Sequence, residues 1–265
     1  MSKRLTKFQI IRVARTLLVI TLATILSEFM TAWIPFDKLH LSHYSLVLVE
    51  RAVSTLIAIL AMRIFYPRAL VRIRQRVTTK RLLIVVAIIA FFALPPLRHS
   101  GLSSQSGSLI IKGFVFALFI GIDEEFFSRG FIFAAFEEYG VSAAAILSSL
   151  HFGTLHLGNA LWGGQSLSYT SAQVLSAAAV GYLLAGLMLF TGSIRIPILL
   201  HGLIDTPMQF QAPAKYLHMV AGNPNWIAVV LQSTIYFGIG WLLIQFSGAD
   251  RALRLTFWLK NIFFV

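Results

Sequence analysis

The chain has 265 residues, of which 57% are hydrophobic and only 12% are charged, and its mean hydropathy is +0.79. Soluble domains usually carry about 25% charged residues and could not hide this much apolar surface, whereas lipid solvates it. The composition therefore predicts an integral membrane protein and excludes an ordinary soluble domain.

Charge and cysteine content narrow the possible functions further. The net charge of +12 would suit a nucleic-acid-binding protein, but the basic residues cluster between apolar runs, as they do in loops facing anionic lipid. We therefore expect the lipid bilayer as a partner and no nucleic acid. The absence of cysteine excludes disulfides, thiolate metal ligands and a cysteine nucleophile.

Apolar runs recur along the chain at lengths that suit membrane helices. A span needs about 20 apolar residues, so the sequence predicts an all-α, polytopic transmembrane bundle of about eight spans. The runs lie near residues 12–34, 45–65, 81–97, 109–138, 141–157, 171–191, 194–211 and 225–246.

The connections between these runs alternate between rich and poor in basic residues. Dense basic clusters precede the first run, fill the connection between the second and third, and follow the last one. With eight spans, all of these clusters fall on one side, which should be the cytoplasmic side. The pattern predicts a plasma membrane protein with both termini in the cytoplasm.

Ionisable residues interrupt three of the later runs. The fourth contains Gly121-Ile-Asp-Glu-Glu-Phe-Phe-Ser-Arg-Gly130, the fifth contains His151 and His156, and the seventh contains His201 and Asp205. Each such group costs at least about 2.5 kcal/mol at the centre of a membrane helix, so a functional role is the default interpretation.

Helical spacing indicates which of these side chains can meet. Glu125 and Arg129 are four residues apart, as are His201 and Asp205, so each pair shares a helix face. Glu124 and His156 lie at about the same depth if their helices form an antiparallel hairpin. His151 points away from the His156 face and is interpreted as structural. Arg51 is expected to pair or snorkel near a span end.

Four interpretations fit this set of residues. A carboxylate beside imidazoles can activate water as a general base, with hydrogen-bond donors stabilising the oxyanion. Glu124, His156 and His201 could instead hold Zn²⁺, which would activate the water. The same residue types also serve as a proton or ion relay in transporters, or as a structural network without chemistry.

The three segments together resemble the CPBP family, the CAAX proteases and bacteriocin-processing enzymes also called the Abi family. Its pattern is Glu-Glu-x-x-x-Arg, then Phe-x-x-x-His, then His-x-x-x-Asn or Asp, each on its own helix. The residues that match these motifs are Glu124, Glu125, Arg129, Phe152, His156, His201 and Asp205. The resemblance divides the chain into N-terminal spans (1–108), a CPBP-like catalytic core (109–211), and a last span with a basic tail (212–265).

The resemblance implies an intramembrane endopeptidase of the glutamate type that needs no cofactor and acts on a membrane-embedded or lipid-modified peptide or protein. In that picture Glu124 activates water and His156 helps to position it. Glu125 and Arg129 support the site, while His201 and Asp205 stabilise the oxyanion. Position 205 is Asn in the prenyl-protein endopeptidases; because an ionised Asp cannot donate a hydrogen bond, Asp205 must be protonated or act by orienting His201. The family also implies an alternative, a non-catalytic membrane scaffold or bacteriocin-immunity protein.

Overall fold

The structure is a computed structural model that describes residues 7–33, 43–73, 77–98, 105–210 and 220–249. This part of the chain is helical and contains no strand. The α-helices, in chain order, are α1 (Lys7–Trp33), α2 (His43–Phe65), α3 (Thr79–Arg98), α4 (Gly107–Glu125), α5 (Phe133–Phe136), α6 (Val141–Leu155), α7 (Gly158–Leu161), α8 (Leu167–Thr191), α9 (Arg195–Asp205) and α10 (Trp226–Ser247).

Helices occur at all eight predicted positions, but not all of them are simple membrane spans. Five stretches of the described chain are long and apolar enough to cross a membrane, and they lie in α2, α3, α6 with α7, α8 and α10. The predicted count of about eight spans is therefore not confirmed. At 1.5 Å per residue the 11-residue helix α9 is only about 16 Å long, roughly half the thickness of the hydrocarbon layer.

Helix α4 continues without a break into a π-helix, Phe126–Ile132, and then into α5. A π-helix hydrogen-bonds from residue i to i+5 and is rare, and it occurs mostly as a single widened turn at functional sites. Here it follows directly after Glu125 and contains Arg129. The charged residues of the fourth run thus lie at the junction between an α-helix and a π-helix.

The helices form one bundle around the long helix α8, which contacts α6 on one side and α10 on another. The second half of α8 is almost completely buried. Helix α9 packs against α4, and α2 packs against both α4 and the π-helix. Helix α2 therefore lies against the predicted catalytic core, although it belongs to the N-terminal spans.

Several contacts show which helix ends share one end of the bundle. Arg12, near the start of α1, forms an ion pair with Glu138 in the turn between α5 and α6 at 2.6 Å. Arg81, near the start of α3, lies over the ring of Phe190 at the end of α8. Val141 and Met188 belong to one apolar cluster that joins these two regions. Basic residues from the N-terminal segment and from the connection between α2 and α3 thus lie at one end, as the charge pattern predicts.

Candidate active site

The third motif meets the first one inside the bundle because α4 and α9 approach each other closely. A Cβ atom added at Gly121 on α4 would lie 2.9 Å from the backbone oxygen of Ile198 and 3.0 Å from the backbone nitrogen of Gly202 on α9. Small residues at such a crossing allow two helix backbones to come into contact. The crossing places His201, the neighbour of Gly202, against the carboxylates at the end of α4.

Glu125 is completely buried and has partners on both sides. Its Oε2 lies 3.1 Å from Nε of Arg129, and both side chains are 0% exposed. Its Oε1 lies 2.8 Å from Nδ1 of His201. The pairing of Glu125 with Arg129 was predicted from their spacing, whereas the contact with His201 joins residues 76 positions apart and was not predicted.

Arg129 occupies an unusual position for a charged residue. None of its three side-chain nitrogens has a hydrogen-bond partner of good geometry, although its charge is close to that of Glu125. Its guanidinium Cζ lies 4.6 Å from the centre of the Phe152 ring, and Gly181 of α8 leaves room for its Nη2. The cation is thus stabilised by one carboxylate and one aromatic face.

Glu124 differs from its neighbour because its side chain remains 21% exposed. Its Oε2 lies 3.4 Å from Nε2 of His201, and its Oε1 lies 3.2 Å from Nη1 of Arg51. Glu124 also lies close enough to His156 for a direct electrostatic interaction. The neighbours of Glu124 hold its carboxylate in place, and water or a substrate can still reach it.

His201 has different partners on its two ring nitrogens. Nδ1 contacts Glu125, whereas Nε2 lies 3.4 Å from Glu124 and 3.5 Å from Oδ2 of Asp205. Glu125 therefore holds the Nδ1 side of the ring, and Asp205 lies on the Nε2 side. Asp205 is partly exposed, like Glu124, so both line the accessible side of the site.

His156 lies where α6 ends, and Phe152 connects it to the rest of the site. The Phe152 ring lies edge-on to both imidazoles, with centroid distances of 5.2 Å to His156 and 5.7 Å to His201. Nδ1 of His156 lies 3.1 Å from the carbonyl oxygen of Phe152. Because a carbonyl only accepts, Nδ1 must carry the proton, which leaves Nε2 as the nitrogen that faces outward from its own helix.

The structure adds residues that the sequence analysis did not place in the site. Nη1 of Arg51 lies 3.1 Å from Oδ2 of Asp123 and 3.2 Å from Oε1 of Glu124, so Arg51 pairs inside the site rather than near a span end. The hydroxyl oxygen of Thr55 lies 3.4 Å from Oδ1 of Asp123. An arginine within an apolar run is itself a signal of function, and that signal was available in the sequence.

His151 lies outside this cluster, as predicted. Its Nε2 is 3.2 Å from Oγ1 of Thr24 on α1, and its ring is stacked on Phe127 at 6.2 Å. These contacts join α6 to α1 and to the π-helix. The histidine therefore has a packing role on the opposite face of α6.

The donor set gives little support to a metal centre. Among the residues that the structure describes, no three His, Asp or Glu side chains are grouped as ligands of one metal ion. One nitrogen of His201 contacts Glu125, and the other lies between two carboxylates. Glu124, His156 and His201 as placed do not form a three-ligand site for zinc.

Comparison with known proteins gives one match. Residues 106–207 match the family model described as type II CAAX prenyl endopeptidase Rce1-like. This match, which spans less than half of the chain, confirms the resemblance found from the three motifs and supports a membrane protease at the level of the family. No curated protein and no solved structure matches the chain.

Proposed function

We propose that the protein is an intramembrane endopeptidase that hydrolyses a peptide bond in a membrane-associated protein or peptide, with Glu124 as the general base. The observation that carries the proposal is the difference between two adjacent carboxylates. Glu125 is sealed between Arg129 and His201, whereas Glu124 faces the same histidine and remains accessible. One carboxylate can support the site while the other exchanges protons with a water molecule.

The proposed reaction begins with a water molecule bound between Glu124 and His156. Glu124 takes a proton from this water, whose oxygen attacks the scissile carbonyl carbon, and later returns the proton to the leaving amine. The Nε2–H group of His201 then donates to the oxyanion, because the contact of Nδ1 with Glu125 fixes the ring orientation. His156 assists by holding the attacking water.

The balance of charges in the site supports a protonated Asp205. The site contains four carboxylates, on Asp123, Glu124, Glu125 and Asp205, and two arginines, Arg51 and Arg129. Two uncompensated negative charges would be costly inside a membrane. Protons on His201 and on Asp205 remove this imbalance, and a protonated Asp205 can donate to the oxyanion as the Asn of related enzymes would.

The proposal is tested by incubating the purified protein in liposomes with defined peptides. The pool contains unmodified hydrophobic peptides and farnesylated peptides ending in Cys-a-a-X, the class named in the description of the matching family. New termini are identified by mass spectrometry for the wild type, for Glu124→Gln and for the control Glu137→Gln. We expect cleavage by the wild type and the control and none by Glu124→Gln.

Each other outcome points to a different function. Equal products from wild type and Glu124→Gln would refute Glu124 as the base. Loss of activity on chelation, restored by added zinc, would show a metalloprotease and contradict the glutamate mechanism. If no peptide is cleaved, partner capture that survives Glu124→Gln would favour the scaffold or immunity protein, and proton-dependent flux would favour the transporter.

A further inference from the structure

Arg51 is an arginine of helix α2 whose side chain reaches into the candidate active site. One of its nitrogens, Nη1, lies within 3.2 Å of both Asp123 and Glu124. The side chain is 36% exposed, so it lies at the accessible edge of the cluster rather than in its buried part. A single guanidinium thus bridges two adjacent carboxylates from another helix.

Local contacts of α2 determine the position of Arg51. Thr55, one turn further along, donates its hydroxyl hydrogen to the backbone oxygen of Arg51 at 2.8 Å, and the same hydroxyl oxygen lies 3.4 Å from Oδ1 of Asp123. Ser54 accepts a 2.7 Å hydrogen bond from Ser27 of α1, which ties these two helices together. Near the other end of α2, Met62 packs directly on Gly130 of the π-helix. The approach of α2 to the catalytic helix is therefore fixed within one turn of Arg51 and again near the C-terminal end of α2.

The groups around Glu124 come from four helices. Asp123 and Glu125 are its neighbours on α4, Arg51 comes from α2, His156 from α6, and His201 and Asp205 from α9. Arg129 contributes from the π-helix, but its nearest carboxylate is that of Glu125. Arg51 is therefore the arginine whose charge acts directly on the accessible carboxylate.

We propose that Arg51 is a positioning residue of the catalytic centre, which holds Glu124 toward His201 and favours its charged form. This inference rests on the proposed function, in which Glu124 is the base. It extends the centre beyond the segment that matches the protease family, which begins at residue 106. The N-terminal helices then complete the active site rather than merely anchoring it.

The test compares two replacements of Arg51 that differ mainly in charge. Arg51→Met keeps the length and suits a membrane helix, whereas Arg51→Lys keeps the positive charge. Arg63→Met is the matched control, because Arg63 lies on the same helix but is exposed outside the site. Melting temperature and gel filtration in detergent show that each variant is folded.

The first measurement is the rate at which dicyclohexylcarbodiimide modifies Glu124. This apolar reagent attacks protonated carboxyl groups, and mass spectrometry with Glu124→Gln identifies the modified residue. A neighbouring cation favours the charged carboxylate, so we expect modification to rise on the order of tenfold in Arg51→Met. Arg51→Lys and Arg63→Met should stay near the wild-type rate. Equal rates in folded Arg51→Met and Arg51→Lys would overturn the proposal.

The second measurement separates this inference from the proposed function. With a peptide that the wild type cleaves, Arg51→Met should lower kcat at least tenfold with little change in KM, and Arg51→Lys should recover part of it. An unchanged kcat would also overturn the inference. Carbodiimide modification needs no turnover, so it decides the role of Arg51 even if no peptide is cleaved and the protease proposal fails.

Discussion

Gly121 and Gly202 lie face to face where α4 crosses α9, and neither position has room for a methyl group. A Cβ atom at Gly202 would lie 3.0 Å from the Cα of Leu118, and one at Gly121 would meet the backbone of α9 at 2.9 Å. Backbone atoms cannot turn aside as a flexible side chain can. This contact sets the distance between His201 and the two glutamates.

We predict that Gly121→Ala and Gly202→Ala push α9 away from α4. Overpacking of this kind costs about 1–3 kcal/mol, and the displacement should also reduce peptidase activity at least tenfold. Gly238→Ala on α10 is the control, because a Cβ atom there meets no atom within 4 Å. Thermal unfolding in detergent and the cleavage assay check both effects. Alanine variants as active as the control would contradict the close crossing.

Replacement of Glu125 should mainly lower stability, whereas replacement of Glu124 should mainly lower activity. Glu125→Gln removes the charge partner of fully buried Arg129 and should cost on the order of 3 kcal/mol. Glu124→Gln changes a partly exposed group and should leave the melting temperature within a few degrees of the wild type while abolishing cleavage. The two variants are compared by thermal unfolding and by cleavage rate. Equal melting temperatures would show that Arg129 does not depend on Glu125.

Asp205 should tolerate replacement by asparagine. If Asp205 acts through a proton that it donates, the amide of Asp205→Asn supplies a similar donor and should keep activity within about tenfold of wild type. Asp205→Ala removes the donor and should lose about 100-fold or more in kcat. Steady-state kinetics on one peptide check this order. An inactive Asp205→Asn with an intact fold would show that the carboxylate itself is required.

Phe152→Leu should lower activity by more than the loss of apolar packing alone would explain. Its ring faces the Arg129 guanidinium and touches both imidazoles, contacts that leucine cannot reproduce. Loss of a desolvated cation–π contact alone is worth about 2 kcal/mol. Phe92→Leu is the control, because Phe92 is similarly buried but lies in the α3–α8 cluster. We expect Phe152→Leu to lose more stability than Phe92→Leu in thermal unfolding, by about 2 kcal/mol, and to be the only one of the two that lowers the cleavage rate.

Contacts within one helix could be predicted from the sequence, because helical spacing fixes them. The pairing of Glu125 with Arg129 and the outward position of His151 both follow from the number of residues between them. The order of the three motifs likewise sufficed to identify the family that residues 106–207 match. Charge clustering also indicated that the starts of α1 and α3 lie at the same end of the bundle, and the contacts of Arg12 and Arg81 agree with this.

Contacts between helices could not be predicted in the same way. The contact of Glu125 with His201 depends on the Gly121–Gly202 crossing, and spacing along the chain says nothing about which helices cross. The predicted span 45–65 puts Arg51 near a span end, but an apolar run does not show which neighbouring helix an arginine side chain reaches. The π-helix Phe126–Ile132 was not predicted either, because helical spacing indicates a helix there without distinguishing one widened turn.

The short helix α9 has a consequence for the supply of water. It starts at Arg195, at the end of the bundle where α8 stops, and after about 16 Å gives way to the 3-10 turn Thr206–Phe210. A helix that stops at this depth leaves carbonyl oxygens that lipid cannot hydrogen-bond. Thr206 donates to the carbonyl of Gly202 at 2.7 Å, and the 3-10 turn that follows offers further backbone donors. Asp205, the last residue of α9, keeps 29% of its side chain exposed, so the opening that hydrates its carboxyl group would also admit the water that hydrolysis consumes.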